Sequence, residues 1–263
     1  MPGNCGAGLN PVRADKSYGQ HFLKNPHLLA EIAAASGAGP QDLVYEVGPG
    51  LGHLTQALLA TGAQVISIEK DLRLIPGLEA TLAGLPCQII AADALEYDWQ
   101  SVPEGSLFVA NLPYNVATPI LRRVLLSGKF KLLVFLVQKE VAGRFRASPK
   151  DPLYGLASLW FGAHGQIEIL RTIPPGAFTP PPKVDSSLVR IMPQTPPADF
   201  DQAYRIAEIG FKMRRKTLKK NLLAAGFPEE KVLAALEGLD IPAQARAEEL
   251  SLAEFTLLIH ALL

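Results

Sequence analysis

The sequence predicts an α/β fold: a doubly wound, mostly parallel sheet followed by a small all-helical C-terminal domain. Three observations lead there. Short, near-continuously apolar runs alternate with helical stretches through the first half of the chain, as expected of strands buried on both faces by crossover helices. Two later apolar runs lack a helix between them, and after residues 193–199 the pattern changes to helices alone.

In chain order, residues 1–24 begin with a stretch rich in Gly, Asn, Pro and basic groups and read as a flexible arm. From Asn25 to Ala35 the apolar spacing suits a helix, with Pro26 near its first position. Strands are then expected at Leu43–Val47, Gln64–Ile68, Cys87–Ala91, Leu107–Ala110 and Leu132–Val137. Helices are expected at His53–Ala60, Leu72–Ala83 and Pro119–Leu126. The runs Gln166–Thr172 and Val184–Ile191 should finish the sheet as an antiparallel pair. The proline-rich stretch between them, Pro174–Pro182, can be neither helix nor central strand. These elements define a sheet domain over 25–192, a linker over 193–199 and a helical domain over 200–263. Gly226-Phe227-Pro228, Gly238 and Pro242 punctuate the helical domain.

Composition narrows the function classes. Of 263 residues, 48% are hydrophobic and 19% charged, which is ordinary for a soluble globular protein. Lys+Arg and Asp+Glu both number 25, giving a formal net charge of zero. Any polyanion site must therefore be a local concentration of charge. The two cysteines, Cys5 and Cys87, form no close pair, and the five histidines lack zinc-site spacing. No metal is expected, and a reducing cytoplasm is. The N-terminal residues do not read as a secretory signal. No run of about 18 apolar residues suggests a membrane span.

The first chemistry-bearing motif is Tyr45-Glu46-Val47-Gly48-Pro49-Gly50-Leu51-Gly52, which follows the first core strand and opens a helix. Gly48, Gly50 and Gly52 let the backbone turn tightly and approach a ligand at a helix N-terminus. The spacing is G-x-G-x-G, not the G-x-G-x-x-G of a dinucleotide site. Alone, it is equally a plain strand–helix turn. The next strand runs into Glu69, about twenty residues on, where a carboxylate can accept from ribose hydroxyls. The third is followed by Asp93, which could hold an adenine amino group. Either acid alone reads equally as a cap. Together, loop, Glu and Asp on three successive strands describe a nucleoside bound across the carboxyl ends of a parallel sheet. NAD and S-adenosylmethionine could each supply it.

Asn111-Leu112-Pro113-Tyr114 ends the fourth strand. An exocyclic adenine amine is uncharged at neutral pH but a poor nucleophile, because its lone pair is delocalised into the ring. Two acceptors near its N–H groups, the Asn111 side-chain oxygen and the Leu112 carbonyl, would localise that pair. Pro113 fixes their aim through its restricted φ, and Tyr114 offers a ring for the base to stack on. In isolation, N-x-P-Y is only a strand end with an Asn cap and a Pro turn. Placed after a ligand loop, it points to in-line methyl transfer assisted by positioning and hydrogen bonding. It also favours S-adenosylmethionine over NAD.

The tetrapeptide resembles the [N/D]-P-P-[Y/F] signature of amino-methyltransferases. Further segments stand in the order of one family. They are Tyr18–Leu23, Glu46–Gly52, Asn111–Asn115, Gln138–Ala142 and Phe178-Thr179-Pro180-Pro181-Pro182-Lys183-Val184-Asp185-Ser186. The chain resembles the small-subunit ribosomal RNA adenine dimethyltransferases, the kasugamycin-sensitivity methyltransferases, over nearly its whole length. That resemblance implies a Rossmann-like methyltransferase sheet over 25–192. It also implies S-adenosylmethionine as donor, S-adenosylhomocysteine as product and no metal. The implied substrate is two adjacent adenosines in a 3′-terminal hairpin of 16S rRNA within a pre-30S subunit, each converted to N6,N6-dimethyladenosine. The implied enzyme is a cytoplasmic monomer. By the same resemblance His21, Leu23, Gly48, Glu69, Asp93 and Asn111 line the cofactor site, so the 1–24 arm contributes to it. Phe178 is expected to stack on the base opposite Tyr114. The family usually carries Asn where this chain has His21. A cationic imidazole near a sulfonium is unfavourable, so His21 is expected to act neutral or through its backbone.

Phe211–Asn221 carries six cations and no acid: Lys212, Arg214, Arg215, Lys216, Lys219 and Lys220. Placed on one helix, Lys212, Arg215, Lys216 and Lys219 would share a face. Such a stripe repels itself unless it meets a polyanion, here RNA. Arg144 and Arg146 could extend it. Three other functions share features with this reading. The large-subunit dimethyltransferases that confer macrolide resistance share the loop and tetrapeptide. An NAD-dependent dehydrogenase shares the fold. A non-catalytic RNA-binding assembly factor would keep the basic stripe without needing Asn111.

Overall fold

The structure, a computed structural model, describes residues 19–262. Two short strands, β1 (Phe22–Leu23) and β8 (Phe178–Thr179), form an antiparallel ladder. The main sheet contains β2 (Leu43–Val47), β3 (Gln64–Glu69), β4 (Cys87–Ala91), β5 (Ser106–Asn111), β6 (Phe130–Gln138), β7 (Gly165–Ile173) and β9 (Ser186–Pro193). Their order is β4-β3-β2-β5-β6-β9-β7. Pairing is parallel from β4 to β6 and antiparallel between β6 and β9. The direction of strand addition reverses between β2 and β5, so a crevice opens there at the strands' carboxyl ends, where ligands bind in open α/β sheets.

The connecting helices form where the spacing places them. In α1 (Pro26–Ala35) the Asn25 side chain accepts from the amides of His27 and Leu28, and Pro occupies the start, where no N–H is needed. Helices α2 (His53–Leu59) and α4 (Ala117–Ser127) match expectation to within a few residues. Helix α3 (Ile75–Leu82) begins later than expected, because residues 71–74 are spent in a turn closed by the Leu74 amide on the Asp71 carbonyl.

Residues on alternate sides of the central strands meet different partners. Val44, Leu107, Val109 and Val134 pack with Leu28, Ile32, Leu54 and Leu58 of α1 and α2. On the opposite side Tyr45, Trp99, Phe108 and Phe130 interlock edge-on, with ring centroids 5.8–6.3 Å apart. Burying a side chain such as Phe108 (0% exposed) contributes about 1.5–3 kcal/mol.

Two helices were not foreseen, α5 (Lys139–Arg146) and α6 (Leu156–His164). The chain divides into two compact units. One runs to Lys139 and includes Ile169–Ile191; the other joins Glu140–Glu168 to the chain from Met192 onward. This corrects the continuous 25–192 domain expected from the sequence. The reason lies in packing: Tyr154 and Leu159 belong to the same apolar cluster as Phe211, Leu222, Phe255 and Leu258. Those residues come from α7 (Phe200–Phe211), α8 (Leu218–Ala224) and α10 (Leu252–Leu262), and Val232 of α9 (Glu229–Gly238) joins them. The Tyr154 hydroxyl donates to the Leu250 carbonyl at 2.8 Å. Of the arm expected over 1–24, residues 1–18 lie outside the described residues.

Candidate active site

A cavity opens at the carboxyl ends of β4, β3, β2 and β5, four neighbours in the sheet. Each strand delivers one of the residues expected there: Asp93 after β4, Glu69 at the end of β3, Gly48 after β2 and Asn111 ending β5. Gly50, Leu112, Pro113, Tyr114 and His21 also line it.

Gly48 and Gly50 have φ of 70° and 60°, in the left-handed region. At Gly50 the restriction is double, because a Cβ would lie 2.8 Å from Cε1 of the Phe22 ring. Gly52 differs. It opens α2 at φ 82°, and a Cβ there would lie 3.2 Å from Leu78 of α3. Its constraint is helix packing, and it does not line the cavity.

Glu69 is 6% exposed. Its two oxygens accept from the Asp71 amide at 2.8 Å and the Gly50 amide at 3.2 Å. Burial raises its pKa, and these amide donors oppose the rise. Each oxygen keeps a lone pair for a hydroxyl donor. Asp93 takes Lys70 Nζ at 2.6 Å and the Leu95 amide at 2.9 Å. Burial acts against ionisation, yet Lys70 and that amide bring Asp93 below the usual carboxylate range.

Asn111 settles its own orientation. Its Nδ2 donates to the main-chain carbonyl of His21 at 2.8 Å, which leaves Oδ1 as the free acceptor. The Leu112 side chain is buried at 2% exposure, so its main chain is what it can offer the cavity. The Val116 amide closes a turn on the Pro113 carbonyl at 3.2 Å. The Tyr114 hydroxyl is 2.6 Å from Ser186 Oγ, and its ring stacks on His21 with centroids 5.3 Å apart. Burial pushes the Tyr114 phenol up.

Two expected site residues lie elsewhere. Phe178 is 3% exposed and packs in the core with Leu23 and Leu29; it does not line the cavity or face Tyr114. Its pairing with Leu23 across the β1–β8 ladder turns it inward while Thr179 is exposed. Leu23, 4% exposed, belongs to the same core and touches only a smaller neighbouring cavity.

Several cavity supports were not foreseen. Gln20 donates to Asp71 at 2.9 Å, and Asp71 pairs with Arg73 through both carboxylate oxygens. The Arg73 partnership holds Asp71 at about 2 against the pull of burial, with Gln20 helping. Below the glycine loop, Glu46 is fully buried and accepts from Thr55 and Ser67, while its Oε1 has no partner. Burial pushes Glu46 up to about 7. Chain spacing signals none of these contacts; the Asp-Ser pair closing the 178–186 segment is the nearest hint, at Ser186.

The basic run is not one helix, which corrects the expected stripe. Helix α7 ends at Phe211, residues 212–216 form a turn, and Thr217 caps α8. Buried Asn221 imposes the break by donating to the carbonyls of Gly210, Met213 and Thr217 and accepting from the Met213 amide. Arg214 is paired with Glu248 and Lys219 with Glu229, as Arg144 in α5 is with Glu140. Lys212, Arg215, Lys216, Lys220 and Arg146 are exposed, with no ion pair among the described residues. No cluster of His, Cys, Asp and Glu among the described residues could hold a metal ion. No helix among them is long and apolar enough to cross a membrane.

The profile of the ribosomal RNA adenine dimethylase family matches residues 12–262. Ribosomal RNA small subunit methyltransferase A of Deinococcus radiodurans is 40% identical over 246 residues, covering 93% of this chain and 83% of that protein. The protein of the same name from Brucella abortus biovar 1 is 42% identical over 259 residues, covering 94% and 92%. Among solved structures, a dimethyladenosine transferase from Plasmodium falciparum overlays with a TM-score of 0.76 at 29% identity, covering 90% of this chain and 96% of that one. The 23S rRNA methyltransferase ErmE overlays with a TM-score of 0.72 at 26% identity, covering 92% and 99%.

Proposed function

The chain belongs to the ribosomal RNA adenine dimethylase family, and from that premise we propose its substrate and the division of labour in its site. It is an S-adenosylmethionine-dependent rRNA methyltransferase that acts on N6 of two adjacent adenosines in a 3′-terminal hairpin of 16S rRNA. Its substrate is the small subunit during assembly in the cytoplasm, and it works as a monomer. Relatives named for the small subunit share about 40% identity with it, against 26% for the 23S enzyme.

The donor set suits the cofactor. Glu69 and Asp93 supply acceptors at one end for ribose hydroxyls and an adenine amine, and the glycine backbone at Gly48 and Gly50 leaves room between. Acidic groups outnumber the one lysine around the cavity, which favours a cation. When bound, S-adenosylmethionine supplies an electrophilic sulfonium methyl. The chain's own task is to place N6 in line and make it nucleophilic. Asn111 Oδ1 and the Leu112 carbonyl accept its two N–H groups and draw the nitrogen toward a tetrahedral form. Tyr114 holds the base plane. No general base is required before attack, because the amine is already neutral.

The observation that carries this reading is the bond from Asn111 Nδ2 to the His21 carbonyl, since it commits Oδ1 to accepting. The deciding experiment offers unmodified small and large subunits labelled cofactor and maps the products. Label confined to large subunits, or absent from adenine N6, sinks the proposal. RNA phosphates are held by the second unit through Lys212, Arg215 and Lys216 on the turn and Lys220 of α8, with Arg146 from α5. Arg214, Lys219 and Arg144 contribute after exchanging their carboxylate partners. Neutralising Lys212, Arg215, Lys216 and Lys220 together should flatten the salt dependence of RNA binding by about 0.7–0.9 per lost phosphate contact. An unchanged slope would remove this surface from the account.

A further inference from the structure

Tyr114 is held from two sides by groups that belong to neither the glycine loop nor the tetrapeptide. Its hydroxyl meets Ser186 Oγ at 2.6 Å. Ser186 is 0% exposed and opens β9 opposite Gln138 of β6, so this hydrogen bond is buried at its serine end and anchored in the sheet. On the ring face, His21 stacks at 5.3 Å with planes 25° apart. His21 is itself fixed. Its Nδ1 lies 2.8 Å from the Pro180 carbonyl; a carbonyl only accepts, so Nδ1 carries the proton. The β1–β8 ladder holds the next two rungs, Phe22 against Thr179 and Leu23 against Phe178. The carbonyl of His21 also receives Asn111 Nδ2. One residue therefore braces the acceptor through its main chain and the platform through its side chain.

We infer that Ser186 and the His21 ring are positioning residues that clamp Tyr114, and that the second methyl transfer to each adenine depends on this clamp more than the first. The inference rests on the proposed dimethylation and follows from counting hydrogens. In each round the N6 lone pair forms the new N–C bond. The C–S bond breaks with its electron pair left on sulfur, and N6 then releases one proton to solvent. The unmodified amine offers two N–H groups to two acceptors, Asn111 Oδ1 and the Leu112 carbonyl. The monomethylated amine offers one, and it must turn to present its lone pair to a second cofactor. With one hydrogen-bond tether gone, the stack on Tyr114 carries more of the aim. A ring free to tilt costs the second round more than the first.

The test is single-turnover methylation of unmodified small subunits by Ser186→Ala and, separately, Tyr114→Phe, with mono- and dimethyladenosine quantified. Ser186→Ala should slow the first transfer no more than about threefold and the second about tenfold or more, and Tyr114→Phe should slow the second more than the first, so that N6-monomethyladenosine accumulates. The double variant should add little to either single one, because both remove the same bond. His21→Ala, which keeps the carbonyl that holds Asn111, should shift the ratio the same way. A readout without substrate accompanies these: tyrosine-ring NMR should show faster flipping of Tyr114 in Ser186→Ala while calorimetric cofactor affinity is unchanged. Equal slowing of both transfers, additive single variants, or an immobile Tyr114 ring in Ser186→Ala overturns the clamp. Because the ring measurement needs no methyl transfer, it judges the clamp even if the wild-type enzyme proves inactive on small subunits, a result that would count against the proposed substrate.

Discussion

Replacing Asn111 by Asp tests which atom of the tetrapeptide accepts and which donates. The side chains are nearly the same shape; the change is that the atom facing the His21 carbonyl loses its hydrogens. In the native chain Nδ2 donates to that carbonyl over 2.8 Å. In the variant a carboxylate oxygen faces the carbonyl oxygen at that distance. Losing the hydrogen bond costs about 0.5–1.5 kcal/mol, and a carbonyl left without a donor costs a further 1–3 kcal/mol or so. A combined loss of about 2–4 kcal/mol in the reactive arrangement corresponds to roughly 30- to 1,000-fold in kcat/KM. The variant also carries its own remedy. A protonated carboxyl can donate to the His21 carbonyl, and partial burial beside that carbonyl favours the neutral form. The activity of Asn111→Asp should therefore rise relative to wild type as pH falls toward the introduced group's raised pKa. The assay is single-turnover methyl transfer to unmodified small subunits from about pH 8.5 down to about pH 5.5, with cofactor affinity followed by calorimetry. Wild-type activity of Asn111→Asp at high pH, or a loss with no relief at low pH, refutes the assignment of donor and acceptor.

Three other perturbations bear on the scaffold around the site. Gly50→Ala combines a left-handed backbone, worth about 1–2 kcal/mol, with a Cβ 2.8 Å from the Phe22 ring, worth about 1–3 kcal/mol of overpacking. Urea unfolding should show both losses, and adding Phe22→Leu should recover only the second. Burial is the main cause that pushes Glu46 up to about 7 in the fold from the usual 4.5 of a glutamate in water, with Glu69 adding to it. Its contribution to stability is full below about pH 4.5 and is lost as pH rises through about 7. Glu46→Gln should flatten that decline, worth up to about 3 kcal/mol, and parallel urea midpoints across the range would count against it. Asn221→Ala removes the donors to Gly210, Met213 and Thr217 and should destabilise the second unit by about 2–4 kcal/mol. It should also flatten the salt dependence of RNA binding, as relaxation of the basic turn requires; retained stability would show that the turn holds without it.

The central parallel strands were legible because burial on both faces removes polar positions, so β2, β5 and β6 read as mostly apolar runs. The helices α5 and α6 were not, for opposite reasons. Only Ala142 and Phe145 are buried in α5, too few to show a period, whereas α6 is apolar almost throughout and shows no face. The two-residue strands β1 and β8 exist only through pairing with each other, about 155 residues apart in the chain, and that pairing turns Phe178 inward. In the basic run, periodicity alone extended a helix through Thr217, although Thr is an N-cap residue and marks the break. Asp93, Glu69, Gly48 and Asn111 were found because each ends a strand, and strand ends converge by topology. Gln20 and Ser186 escaped because their partners, Asp71 and Tyr114, come from distant segments.

The structure gives the unusual residue at position 21 a physical account. The bond that commits Asn111 Oδ1 to accepting is made by the His21 carbonyl, a group every residue type carries. The side chain at 21 is therefore free to vary without disturbing the acceptor, provided the β1–β8 ladder keeps the main chain in place. What the imidazole adds is separate: a ring against Tyr114 and a donor to Pro180. An Asn there could still donate a hydrogen bond but could not stack. His21→Asn should accordingly slow the second methyl transfer more than the first, which exposes the ring's contribution.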